Sequence, residues 1–408
     1  MILAKKVRLL PTPEQERQLW KSAGTARYIY NWALNKQIKH FESTGKLSKI
    51  SDGNLRKELT KLKQEEKYAW LYEVSNNVAK QAVKDLCNAI DKFHTESKKQ
   101  RYKYRKSAIK TGKELTIQDF EYFPKFKSRK KSKTSFYHDT GKLKVYSHEV
   151  KLEKIGKVKL AEKERIPIES KYTNPRITHD GKYWYISVGV EEVESTSENT
   201  DIALGVDVGI KDLAICSNDM VFRNINKTKE VKRLKKKLKR KQKQISRQYE
   251  KSKKMVEEAG ENRYEYTKTN NTKKREKEVK LIHRRLSNIR LNHIHQSTSK
   301  IVKAKPSRIV VEDLNIKGMM KNRHLSKAIQ EQCLYKFISI LEYKSKFNNI
   351  EFVKADRFYP SSKTCSNCGE VKKDLKLKDR VFICPKCNVK IDRDKNASIN
   401  LSKYEKLA

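Results

Sequence analysis

The chain has 408 residues, too many for one compact core and enough for two to four domains. Lysine and arginine number 95 against 49 aspartates and glutamates, a net charge of +46; a compact body this positive repels itself unless a polyanion neutralises it, so a long nucleic acid is the expected partner. No apolar run approaches the length of a membrane span and Met1–Lys6 opens no signal peptide, which argues against a membrane protein and for a cytosolic one.

Residues 1–10 (MILAKKVRLL) read as a short strand ended by Pro11 and Pro13. Thr12 and Gln15 fit a capping box with Pro13 at the first helical position, and a helix to about Ser43 follows, with Leu19, Ala23, Ala26, Ile29, Tyr30 and Ala33 on its apolar face. A second helix fits Asn54–Lys67. A third starts at Ser75, its stripe formed by Val78, Ala82, Leu86, Ala89, Ile90 and Phe93. Two basic stretches with aromatic residues follow, KKQRYKYRK (Tyr102, Tyr104) and FPKFKSRKK (Phe123–Lys131), in which rings can stack on bases while cations hold phosphates. Residues 139–191 change to short alternating runs, and Asp180-Gly181 between two of them marks a hairpin. A small β-barrel or sandwich is predicted, completed by residues 1–10, with residues 11–138 as a helical insertion. The polar, acidic run 192–201 reads as a linker.

Beyond it, residues 202–225 give three consecutive strands. A strongly basic helix over about 227–254, a polar break near Gly260–Thr272 and a second helix suggest a helical hairpin, with KRLKKKLKRKQK as a phosphate rail. SRIVVEDL is a buried strand, Ala328–Phe347 a helix and IEFVKADRF another strand. Asp207 and Glu312 each end an apolar strand, and Asp394 starts the last helix. A meander, a helical segment, a strand ending in Glu and a late helix bearing Asp match RNase H topology, in which three acids converge. Three hard-oxygen ligands suit two magnesium ions, one activating water and one stabilising the leaving oxygen. Asp207 is assigned as the bridging ligand, with Glu312 and Asp394 completing the sites. Asp313 is expected on the opposite face from Glu312, and Asp392 as a cap or outer partner. The order Asp–Glu–Asp is the resolvase-like (RuvC) order rather than the Asp–Asp–Glu of strand-transfer enzymes.

Cys365, Cys368, Cys384 and Cys387 form two CxxC pairs separated by residues 369–383, the spacing of a structural zinc ribbon. Cys87, Cys216 and Cys333 are scattered and expected as small buried apolar residues. The predicted architecture is therefore multidomain α+β: β-barrel at 1–10 and 139–191, helical domain at 11–138, linker at 192–201, nuclease domain at 202–364 and 388–408, and zinc ribbon at 365–387.

GVDVGIKDLA, IVVEDLNIKGM, DRFYPSSKTCSNCG, CPKC and DRDKNASINL, together with the N-terminal VRLLPTPEQERQL and ARYIYNWAL, resemble the successive motifs of the TnpB family. These are insertion-sequence nucleases related to compact type V CRISPR effectors. Ser398 stands where a second Ala is common, Leu401 replaces an Ile, and the polar stretch at 255–275 is longer than the family's. The resemblance implies a bacterial or archaeal, nucleoid-associated protein, monomeric within a ribonucleoprotein. A guide RNA would direct it to double-stranded DNA beside a short transposon-associated motif, both strands being cut at Asp207, Glu312 and Asp394. The barrel becomes a wedge domain and the helical insertion a recognition domain, with base pairing rather than protein reading most of the sequence. Asn76, Asn77, Lys80 and Gln81, on the first turns of the third helix, are the expected motif contacts, since Asn and Gln can read adenine edges. Two rivals remain: a non-enzymatic basic zinc-ribbon RNA-binding protein, which leaves the ordered acids unexplained, and a guide-free resolvase-like nuclease, which does not need so large a basic N-terminal half.

Overall fold

A computed structural model describes residues 1–44, 49–97, 123–129, 132–193, 198–258, 261–376 and 379–405. They fall into two units, residues 2–192 and 193–408. Tyr102, Tyr104, Lys130 and Lys131 lie outside the described residues.

In the first unit, β1 (Ile2–Leu10) leads into α1 (Pro13–Thr44) through the predicted capping box. Thr12 N–H donates to Gln15 Oε1 at 3.1 Å, and Gln15 N–H donates to Thr12 Oγ1 at 3.3 Å. α2 (Asp52–Gln64) is capped by Ser51, a start two residues earlier than expected. It gives way to a 3-10 turn at Glu66–Glu73 before α3 (Asn76–Ser97). The strands β2 (Thr134–Tyr137), β3 (Lys144–Val145), β4 (Glu149–Leu152), β5 (Gly156–Leu160), β6 (Tyr172–His179) and β7 (Trp184–Glu191) form with β1 one antiparallel sheet of order β2-β6-β7-β1-β5-β4-β3. β1 is central, paired with β7 from Ile2↔Glu191 to Leu9↔Trp184, as its alternation requires. β2 and β3 are the edges of that order. The expected boundary at 139 is too late, because β2 precedes it; its four residues carry little pattern of their own after the lysine-rich SRKKSK run.

Helices and sheet share a core. Leu19 and Ala23 of α1 and Val78 of α3 pack in one cluster with Val7, Phe136, Trp184 and Ile186. The outer turns make a second cluster around Ile29, Leu34, Leu55, Leu86 and Phe93, so the stripes read from the sequence are core.

The second unit is built on β8 (Ala203–Val208), β9 (Asp212–Cys216), β10 (Val221–Arg223), β13 (Arg308–Glu312) and β14 (Glu351–Ala355), in the order β10-β9-β8-β13-β14. β8, β9 and β10 are an antiparallel meander; β8, β13 and β14 run parallel. Parallel neighbours need long connections. The first consists of α4 (Lys229–Lys251), a hairpin of β11 (Lys253–Glu258) with β12 (Glu261–Tyr266), and α5 (Asn270–Lys303). Val231 and Leu234 of α4 pack on Ile282 and Leu286 of α5, confirming the helical pair. The expected polar break between the helices is instead this paired hairpin, whose charged and aromatic residues hide its period. The second connection holds α6 (Ile316–Met319), α7 (Ser326–Gln332) and α8 (Leu334–Phe347). Cys333, at φ 56°, divides the single helix expected over Ala328–Phe347, and is half-buried rather than buried like Cys87 and Cys216. After β14 come β15 (Val381–Ile383), β16 (Lys390–Asp392) and α9 (Arg393–Ser402).

Candidate functional site

Register alone brings the first two acids together. Val206 of β8 lies opposite Val311 of β13 in the parallel ladder, so Asp207 and Glu312 are the next residues of two adjacent strands and share one face. The third acid depends on a glycine. Gly205 lies on the same face two residues earlier, and a Cβ there would stand 1.9 Å from Ser398 O and 2.4 Å from Ser402 N of α9. Only glycine lets the helix lie this close to the strand, and one turn from Ser398 the helix presents Asp394.

Asp207, Glu312 and Asp394 line one open cleft of about 250 Å³, together with Lys211, Arg380 and Arg393. The Asp207 carboxyl is pushed well above the usual range, first by desolvation and then by Glu312 and Asp394, with Arg393 opposing. Glu312 Oε1 accepts the Ser361 hydroxyl. Asp394 Oδ1 accepts Nε and Nη2 of Arg393 at 3.1 and 2.9 Å. The neighbouring acids are occupied elsewhere. Asp392 caps α9, its Oδ1 accepting the N–H groups of Asp394 and Lys395 at 2.9 and 3.1 Å, and Asp313 pairs with Arg357 at 2.7 Å. Three hard, mutually repelling oxygen donors in one cleft are a donor set that suits divalent magnesium.

The four thiols sit between β14 and α9, each sulfur within 4.8 Å of the others. Cys365 and Cys387 are 3.6 Å apart and Cys368 and Cys384 3.5 Å, close to the roughly 3.8 Å edge of a tetrahedron with Zn–S of about 2.3 Å. Cys384 Sγ accepts the N–H groups of Lys386 and Cys387 at 3.4 Å. The Cys387 thiol is drawn down to about 6, led by a backbone hydrogen bond at Val389 and then by Asn367. Four soft donors so placed fit zinc with no open position.

Residues not singled out in the sequence join the two clusters. Asn396 Nδ2 donates to Thr364 O at 2.7 Å, and its Oδ1 accepts Ser366 N–H at 2.9 Å. Asn400 Nδ2 donates to Ser361 O and Thr364 O, both at 2.7 Å. Both asparagines are buried, and their i, i+4 spacing on α9 was the available signal.

The four candidates on α3 do not converge as a reading surface. Asn76 and Lys80 are exposed, but Asn76 Oδ1 accepts Lys63 Nζ at 2.6 Å. Gln81 Nε2 donates to Asp85 at 2.8 Å, and Asp85 takes two hydrogen bonds, 2.8 and 2.9 Å, from Arg176 of β6. Asn77 is half-buried, its N–H on Ser75 Oγ. Two of the three amides thus serve packing of the helix.

Three family profiles match the chain: one described as a helix-turn-helix domain at residues 1–46, one as a probable transposase at 185–323, and one as a Cas12f1-like TNB domain at 335–401. In the first segment the described residues hold one strand and one continuous helix through Thr44, not two helices joined by a turn. A Streptomyces pristinaespiralis protein named as a candidate RNA-guided DNA endonuclease is 27% identical over 97% of this chain and 87% of its own length. InsQ of Escherichia coli, named likewise, is 25% identical over 97% of this chain and 90% of its own. The TnpB-like protein L79 of Acanthamoeba polyphaga mimivirus is 30% identical over 34% of this chain and 28% of its own. Among solved structures, CasPhi-2 (Cas12j) bound to crRNA aligns at a TM-score of 0.46 with 10% identity, covering 99% of this chain and 98% of that one. The Cas12f1–sgRNA–target DNA complex aligns at 0.35 with 15% identity, covering 98% and 99%.

Proposed function

We propose that the chain is a member of the TnpB family, an RNA-guided DNA endonuclease that hydrolyses phosphodiester bonds at Asp207, Glu312 and Asp394. The observation that carries this reading is the convergence of the three acids in one open cleft lined by cations, in a chain similar along most of its length to candidate RNA-guided endonucleases. The 3-2-1-4-5 order of the five-stranded sheet, counted from β8 and read from β10 to β14, supports an RNase H-like (RuvC) assignment for residues 202–364 and 388–408. The thiol geometry supports a zinc ribbon at 365–387. The seven-stranded sheet, with the strand at 2–10 at its centre, is assigned as the wedge and α1–α3 as the recognition module.

Asp207, Glu312 and Asp394 would hold magnesium, which when bound would supply an activated water and stabilisation of the leaving oxygen. The chain's own residues do the rest. Ser361 fixes the rotamer of Glu312, and Asp392 fixes the first turn of α9 and so the height of Asp394. Arg393 balances negative charge until a cation enters, and Lys211, Arg380 and Arg393 attract a phosphate backbone to the cleft. The +46 excess fits a long folded RNA, which carries the guide and sets the target.

The deciding assay uses two guides and two DNA targets bearing the flanking motif, with magnesium and with a chelator. Each guide should direct cutting only to its own target, and chelation should stop it. Cutting of both targets whatever the guide would leave the guide-free resolvase-like nuclease. Binding of RNA with no cutting under any condition would leave the zinc-ribbon RNA-binding protein.

A further inference from the structure

The loop between β14 and the first thiol pair, residues 356–361, holds one side chain that contributes nothing to the fold: Phe358 is 88% exposed. Single exposed apolar residues are common and need no explanation. Phe358 differs in how firmly its backbone is held. Its N–H donates to Asp356 Oδ1 at 2.9 Å, and Asp356 N–H donates to Tyr404 Oη at 3.2 Å. Its neighbour Tyr359 turns inward, packing edge-on against Tyr404 with ring centroids 4.8 Å apart and donating to Asn400 O at 3.2 Å. On the other side Arg357 is pinned to Asp313, the residue after Glu312. Ordering the loop costs entropy, yet the ring it displays buries no surface.

The same loop reaches the cleft. Ser361, whose hydroxyl meets Glu312, is three residues from Phe358, so the two Cα atoms lie at most about 11 Å apart. At about 3.4 Å per stacked nucleotide, that is a reach of roughly three nucleotides.

We propose that Phe358 is a stacking platform for a base of the single-stranded DNA entering the acidic cleft, setting where the strand lies relative to Glu312. This rests on the nuclease reading above. A phenyl face stacks on any base, so the contact is indifferent to sequence, as guide-directed cutting requires. Lys211, Arg380 and Arg393 in the cleft hold the phosphates that flank the stacked base.

The test uses the whole ribonucleoprotein carrying Glu312→Gln, which should bind without cutting, and single-stranded DNA read by fluorescence anisotropy. Phe358→Ala should weaken binding about tenfold and Phe358→Leu nearly as much, whereas Phe358→Trp should restore it; guide-RNA binding should be unchanged in all three. A 5-iodouracil scanned along the strand should cross-link to Phe358 at one position within about three nucleotides of the cut. In the cutting-competent protein, Phe358→Ala should blur the cut site. If Phe358→Leu binds as well as wild type, or the cross-link maps to another residue, the platform is wrong. The anisotropy arm needs no catalysis, so it distinguishes failure of the platform from failure of the nuclease assignment, which the guide-and-target assay reads separately.

Discussion

The four thiols and the three carboxylates are both clusters of candidate metal ligands within residues 193–408, and they are assembled in opposite ways. Cys365 to Cys387 lie within 23 residues of chain, close in space because they are close in sequence, in a cluster with no open position. Asp207, Glu312 and Asp394 come from two strands and a helix, in a cleft open to solvent and lined by cations. Local assembly gives a site whose stability is its own metal's. Long-range assembly gives a site that exists only when the whole sheet and α9 are formed, and that keeps room for a substrate.

The comparison breaks most visibly at the acids. Asp207→Ala, Glu312→Ala and Asp394→Ala should each reduce DNA cleavage below about a thousandth of wild type on a gel, with RNA binding and thermal unfolding almost unchanged, because each removes repulsion along with a ligand. Asp313→Asn should keep most of the activity, since its partner is Arg357 rather than the cleft. At the thiols the signature reverses. Elemental analysis should find one equivalent of zinc per chain, and Cys384→Ser should lose it and lower unfolding temperature and cleavage together.

Gly205 sharpens the point, since it belongs to neither cluster. Gly205→Ala forces a Cβ against the backbone of α9 and should cost about 3 kcal/mol in denaturant titration, with cleavage lost through displacement of Asp394 while zinc is retained. The smallest effect belongs to the other unit. Burial alone would raise the Asp85 carboxyl, but the hydrogen bonds from Arg176 and Gln81 outweigh it and leave it below the usual range. Its contribution is therefore present above the ordinary carboxylate value, near 3.9, and fades as pH falls through the lower folded value. Asp85→Asn should remove this, costing about 2 kcal/mol at neutral pH and flattening the acid limb of stability read by hydrogen exchange over α3 and β6.

What was legible in the sequence follows the same division. The Thr12–Gln15 capping box, the stripes of α1 and α3, the Asp180-Gly181 turn (Gly181 φ 97°) and the CxxC pairs are signals carried within a few residues, and each appears where the pattern places it. The three acids are not local, yet each ends or begins a strongly patterned element, so their order could be read. The β11–β12 hairpin could not, because KKMVEE does not alternate and ENRYEY is polar but for two tyrosines. Nor could the break at Cys333, a non-glycine in a left-handed conformation that tertiary packing imposes. The partners of Asn76 and Gln81 were likewise not legible: Lys63, and Asp85 with Arg176, are brought alongside only by folding.

The close approach of α9 to β8 also sets a clock. Asp394 is made 187 residues after Asp207, and at about 5–20 residues per second the ribosome takes roughly 10–40 s to cover that distance. Glu312 follows Asp207 by 105 residues, so only over the last 82 residues before Asp394 does the growing chain hold two carboxylates without the third. A nascent chain, or one whose synthesis stops early, thus lacks the complete set of three acids.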